Sequence, residues 1–148
     1  MPKERFKVIP AVHVLFVKDS KVLLLRRFQT GWMDGSYSVP AGHVDGDESA
    51  AQAATREAKE EVGVTLENKD LRLATVMHRR TPEGKENERL DFFFVATKWT
   101  GEIENKEPNK CDDLGWFSIS DLPQNVVPYV RFGIEAYHKG LSYSEFGW

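Results

Sequence analysis

The stretch from Gly42 to Val64, GHVDGDESAAQAATREAKEEVGV, constrains this chain more than any other. Its second half has the period of one amphipathic helix, from about Ser49 to Val62. Ser49 and Gln52 form a capping-box pair, acids precede them, and Gly63 stands where a left-handed residue ends a helix. Glu57, Glu60 and Glu61 fall three and four residues apart and so share one edge. That crowding is unfavourable. Like charges at this spacing repel, and the helix dipole disfavours anions near a C-terminus. The cost implies either a cation that neutralises the cluster or a solvated run of charge. At about 100° per residue, Ala51, Ala54, Ala58 and Val62 make the apolar stripe that packs on a sheet. Ala50 and Ala53 fall on the acids' side, where small residues leave room for a bulky anion.

At 148 residues the chain fits a single domain, 1–148, with a core of ordinary size. It is 41% hydrophobic and 29% charged, with no apolar run long enough to cross a bilayer, so no membrane partner is expected. The opening MPKERFKVIP lacks the apolar segment of a secretory signal, and the lone Cys111 cannot close an internal disulfide; the expected location is cytoplasmic. A net charge of -3 argues against a nucleic-acid polymer as partner, which would need a basic stripe. A small phosphorylated ligand needs only a local cluster of cations, metal or amides.

Phe6 to Val17 and Val22 to Phe28 read as two strands joined by a turn at Lys18–Lys21. Alternation places Leu23, Leu25 and Arg27 on one face and Val22, Leu24 and Arg26 on the other. Arg26 and Arg27, at the end of an apolar strand, suit a phosphate or solvent equally well. The glycine-punctuated loop 29–37 carries Trp32 and Tyr37, each able to stack on a nucleobase or to pack on the core edge. Pro40 favours a short edge strand leading into a loop at Gly42. Leu71 to Arg79 and Arg89 to Trp99 read as strands, and the polar 81–88 segment between them as a mobile rim. A short strand at Glu102–Ile103 and a last strand at Leu114–Ile119 follow. Val126 to Leu141 is helical, with Pro128 in its first turn. The order of elements is that of one α/β domain. His43 and His78 read as polar loop or edge residues, Cys111 as having no histidine partner for thiol chemistry, and Phe92 to Phe94 mostly as core.

Across Gly42, Glu48, Arg56-Glu57-Ala58, Glu60-Glu61 and Gly63-Val64 the sequence resembles the Nudix hydrolases. Their box fixes nine positions in 23 residues, and all nine match. The resemblance implies an α/β/α sandwich around a central mixed sheet. It implies a Mg2+-dependent enzyme, with Mn2+ as a substitute, acting on a small nucleotide, and a homodimer as a common assembly. Glu57, Glu60 and Glu61, with the Gly42 carbonyl, are expected to bind metal. Glu57 or Glu60 is expected to act as base towards water, Arg56 to orient a catalytic glutamate, and Glu48 to support the loop. Hard oxygen ligands suit Mg2+, and divalent ions neutralise a diphosphate and activate water. Many members recruit another acid from outside the box. Glu107 is the choice here, with Asp112, Asp113 and Glu88 as competitors.

The box names a reaction class and not a ligand. Members reading ADP-ribose tend to carry a proline about sixteen residues after it; here that position is Arg80, and Pro82 lies two residues off. By elimination among such signatures, the expected reaction converts a nucleoside triphosphate to the monophosphate and pyrophosphate. ADP-ribose or another nucleoside diphosphate sugar is the alternative, and a sensor that binds without hydrolysis the third reading. Arg26, Arg27, Trp32 and Tyr37 are the expected substrate contacts, with the Pro128-Tyr129 region beside them.

Overall fold

The computed structural model describes residues 2–82 and 88–148; most of the segment read as a mobile rim lies outside them. Strand β1 (Ile9–Lys18) and strand β2 (Lys21–Arg27) form a hairpin about Asp19 and Ser20. Both turn residues have positive φ, 51° and 61°, as a two-residue turn matched to strand twist requires. The hairpin pairs only at its tip, Val17 with Val22 and Lys18 with Lys21. Beyond the tip the strands splay, and residues 37–43 fill the gap. Strand β3 (Tyr37–Ser38) pairs with β2, and strand β4 (Ala41–His43) pairs with β1. Gly42 therefore lies in a short strand and not in the expected loop.

Helix α1 (Ala50–Val62) forms as its caps dictate. Ser49 accepts from the Gln52 N–H, Gln52 returns the bond, and Gly63 closes the helix at φ 76°. Strand β5 (Leu71–Arg80) runs antiparallel to β6 (Glu88–Ala96), which lies parallel to β1. Strand β7 (Cys111–Ser118) pairs along β2. Helix α2 (Pro128–His138) starts at Pro128, whose missing N–H costs nothing there. The chain closes with β8 (Tyr143–Phe146), parallel to β5. The strand read as last is thus β7, and β8 follows it; Glu102–Ile103 makes no strand.

The mixed sheet separates two cores. Val12, Val14, Phe16, Leu23 and Leu25 face α1, while Leu15, Val22 and Leu24 face α2. This is the α/β/α sandwich that the resemblance implies. On α1 the fully buried residues are Ala53, Ala54, Ala58 and Val62. Ala53 replaces Ala51 in the expected stripe, so the space beside it is filled by the core and holds no anion. Rotating the stripe this way carries Glu57 and Glu61 onto the buried edge of the helix, because each lies one turn beyond a buried or half-buried alanine.

One buried polar residue makes the fold sensitive to acid. His13 on β1 is enclosed; its ring stacks on Phe93 at 4.4 Å, and its Nε2 lies 2.9 Å from the Tyr129 hydroxyl. Burial lowers its pKa from 6.5 to about 4. Between those values the unfolded chain binds a proton that the native state refuses, so stability is complete above pH 6.5 and falls as pH drops towards 4, by up to about 3 kcal/mol. Melts from pH 4 to 7 should show His13→Gln with a shallower loss than wild type; equal slopes would remove His13 from that role.

Candidate active site

Two carboxyl groups one helical turn apart begin the site. Glu57 and Glu61 lie one turn apart on α1 and line the same cleft. Burial drives Glu61 well above the usual carboxylate range; the Glu57 charge adds to this, and the Ala41 N–H, donating at 2.9 Å, opposes it. Burial raises Glu57 too, against the pull of Arg56. Glu60 takes a different place. It turns outward, its side chain 54% exposed, on the rim of the same cleft. The three acids therefore divide into a buried pair and a solvent-facing neighbour.

Arg56 organises the acids from behind. Its guanidinium donates to Glu48 at 2.7 and 3.1 Å, to Glu57 at 2.8 Å and to the His43 carbonyl at 3.2 Å. Glu60 lies 3.5 Å away. Glu48 also accepts the Asp45 N–H at 2.8 Å, which pins the loop ahead of α1. Pairing with Arg56, reinforced by that N–H, holds Glu48 below the usual carboxylate range. Arg56 thus ties the loop, β4 and Glu57 into one unit, as a planar fork with several donors allows.

The backbone brings the outside acid. Residues 104–106 cover the C-terminal end of α1, the Glu104 N–H donating to Val62 and the Lys106 N–H to Glu61, which satisfies carbonyls that a helix leaves unpaired. Glu107 follows directly and lines the cleft beside Glu57 and Glu61. Its rivals are engaged elsewhere: Asp112 accepts from Arg26 at 2.7 Å, Asp113 from the Tyr37 hydroxyl, and Glu88 lies 3.0 Å from His78. The cleft encloses about 510 Å³ and is also lined by Arg26, Arg27 and Lys110, the last 3.8 Å from Glu107. The sequence reading missed Lys110, whose place follows from the turn at Glu107 and carries no sequence signal.

These residues fit a divalent ion. Among the described residues no three acid, histidine or cysteine side chains are drawn together tightly enough to cage one as they stand. Burial and mutual repulsion both disfavour the charged forms of Glu57 and Glu61, a cost that a divalent cation between them would relieve. The donors are hard oxygens, the choice of Mg2+ and Mn2+ and not of softer ions. Gly42 completes the fit: a Cβ there would overlap the Glu57 carboxyl, so only glycine lets the β4 backbone approach it.

A second cavity, of about 530 Å³, adjoins the first. Trp32, 45% exposed, lines it together with Tyr129 and Pro128. The loop between the cavities is fixed by Arg27, which donates to the Trp32 carbonyl at 2.7 Å and lies 4.9 Å from the Trp32 ring. Tyr37 corrects the expectation of a base contact. It is 8% exposed, packs on Phe117 and donates its hydroxyl to Asp113, so its ring belongs to the core. Cys111 is buried, its thiol raised by that burial.

A family model described as the NUDIX domain matches residues 7–135. The NAD-capped RNA hydrolase NudC of Chromobacterium violaceum is 33% identical over 122 residues, 82% of this chain and 42% of that protein. The ADP-ribose pyrophosphatase of Methanocaldococcus jannaschii is 29% identical over 133 residues, 88% of this chain and 75% of that one. The MutT NUDIX hydrolase structure from Burkholderia pseudomallei superposes with a TM-score of 0.78 at 28% identity, covering 88% of this chain and 98% of that one. The chain spans about two-fifths of the length of the NudC proteins it matches.

Replacing Gly42 tests the close approach of β4 to α1. Gly42→Ala should push the Glu57 carboxyl aside and cut metal-dependent turnover at least 100-fold, while the melting temperature changes by only a few degrees. Turnover within threefold of wild type would show that the approach is not needed.

Proposed function

The chain belongs to the Nudix hydrolase family, and from that premise we propose that it is a pyrophosphohydrolase cleaving the diphosphate linkage of a small nucleotide with a divalent metal. The supporting observation is the half-buried Glu57–Glu61 pair, set against the backbone of Gly42 in a cleft that Arg26, Arg27 and Lys110 also line. Glu57, Glu61, Glu107, Glu60 and the Gly42 carbonyl would hold Mg2+, or Mn2+ in its place. When bound, such an ion neutralises phosphate oxygens and makes water more acidic.

The remaining work falls to the chain. Arg26, Arg27 and Lys110 bind and orient the phosphate oxygens, fixing the phosphorus for in-line attack. Glu60, which alone of the three acids faces solvent, accepts the proton of the attacking water. The water oxygen bonds to phosphorus, the anhydride P–O bond breaks, and the phosphate group beyond it leaves. Arg56 positions Glu57 and, through Glu48, the loop before α1.

The favoured substrate is a nucleoside triphosphate, converted to the monophosphate and pyrophosphate. A cleft lined by both acids and three cations suits a run of phosphates with its metal ions. ADP-ribose is the second reading, favoured by the match to a protein named for that activity over three-quarters of its length.

A nucleotide panel with Mg2+ tests the proposal on wild type, Glu60→Gln and Glu61→Gln. Wild type should turn over triphosphates with at least a ten-fold advantage in kcat/KM over ADP-ribose, about 1.4 kcal/mol. Each variant should lose at least 100-fold. Hydrolysis that survives both substitutions would overturn the assignment of the acids. Binding without phosphate release would make the domain a sensor.

A further inference from the structure

The second cavity contains an imbalance of charge that the proposed reaction does not use. The register of β5 and β6 sets Arg79 directly opposite Arg89. Two like charges in that relation are destabilising unless something answers them. Asp91, two residues along β6 and therefore on the same face, answers one. It accepts from Arg79 at 2.7 and 3.3 Å while itself wholly buried. Arg79 is further occupied by the Tyr129 ring, 3.7 Å from its guanidinium carbon.

Arg89 has no such answer. Its Nη1 is buried without a hydrogen-bond partner among the described residues, and so is the hydroxyl of Thr81. Both residues line the cavity, Arg80 joins them, and no Asp or Glu lines it among the described residues. A buried charged donor left unpaired is among the costlier defects in a protein. The group that would relieve it is an oxyanion, which accepts from a guanidinium and a hydroxyl together. Trp32 and Tyr129 give the same cavity aromatic walls suited to a nucleobase.

The two cavities meet at the loop after β2, where Arg27 lines the acidic cleft and its guanidinium lies 4.9 Å from the ring of Trp32, which lines the second. A nucleotide with its diphosphate at Glu57 and Glu61 would therefore extend its nucleoside towards Arg89. We infer that the Arg89–Thr81 end of this cavity binds a phosphate ester on the ribose, so that of two nucleotides with the same cleavable linkage the one carrying that ester binds more tightly. This rests on the proposed function for which end of the nucleotide enters.

Calorimetry without metal tests it apart from turnover. The probes are AMP, adenosine 2′,5′-bisphosphate, adenosine 3′,5′-bisphosphate and inorganic phosphate. In wild type at least one bisphosphate should bind ten-fold or more tightly than AMP. Arg89→Gln should bring that ratio within two-fold, Thr81→Val should lower it, and Arg89→Lys should keep part of it. A wild-type ratio near one overturns the inference without any variant, which covers the case that Arg89→Gln fails to fold. A ratio that survives Arg89→Gln also overturns it. Inorganic phosphate binding as tightly as the bisphosphate would make this a site for free phosphate and not for substrate. In turnover, ADP-ribose 2′-phosphate should exceed ADP-ribose through a lower KM if the 2′ ester is the one bound. Loss of all turnover with the binding ratio intact would sink the catalytic reading and leave this one standing.

Discussion

Two half-buried acids one turn apart, Glu57 and Glu61, impose the central constraint on this structure. An unpaired carboxylate taken out of water is costly, and two together are worse. The chain supplies one guanidinium, Arg56, and spends it on Glu48 as well as Glu57. Glu61 receives a single backbone N–H from Ala41. The surrounding features serve this pair: Gly42 omits a side chain where Glu57 comes, α1 is capped at both ends, and small alanines let the helix lie close to the sheet.

The same constraint explains why the hairpin of β1 and β2 opens. Were it paired along its length, no strand could present Ala41 and Gly42 to α1. By splaying past Val17–Val22 it admits residues 37–43, and these carry the backbone that meets both acids. The second cavity, reached past Arg27 and Trp32, is lined by arginines and by no Asp or Glu among the described residues, whereas the first holds glutamates as well as cations.

Much of this was legible in the sequence because it is local. The caps of α1, the turn between β1 and β2 and Pro128 at the start of α2 are written in neighbouring residues, and the box from Gly42 to Val64 matches a family pattern. What was hidden depends on partners distant in the chain. Strand β8 is four residues long, and its parallel partner β5 lies more than sixty residues earlier. Tyr37 looked free in a glycine-rich loop, but its hydroxyl meets Asp113, seventy-six residues on. Glu107 was chosen by resemblance; the reason for its position, main-chain bonds from residues 104–106 to the end of α1, has no composition signal. The opposition of Arg79 and Arg89 exists only once the β5–β6 register is known.

The central claim is that the Glu57–Glu61 pair is built for a cation, and metal-dependent stability tests it most directly. A ligand that binds the native state alone stabilises it by RT ln(1 + [L]/Kd), about 2.7 kcal/mol at one hundred times Kd. The melting temperature of wild type should rise steadily with Mg2+. Glu61→Gln, which can still accept from the Ala41 N–H but removes a charge from the pair, should melt higher than wild type without metal and respond little to it. A wild-type melting temperature indifferent to Mg2+ and Mn2+, or an equal rise in Glu61→Gln, would contradict the account.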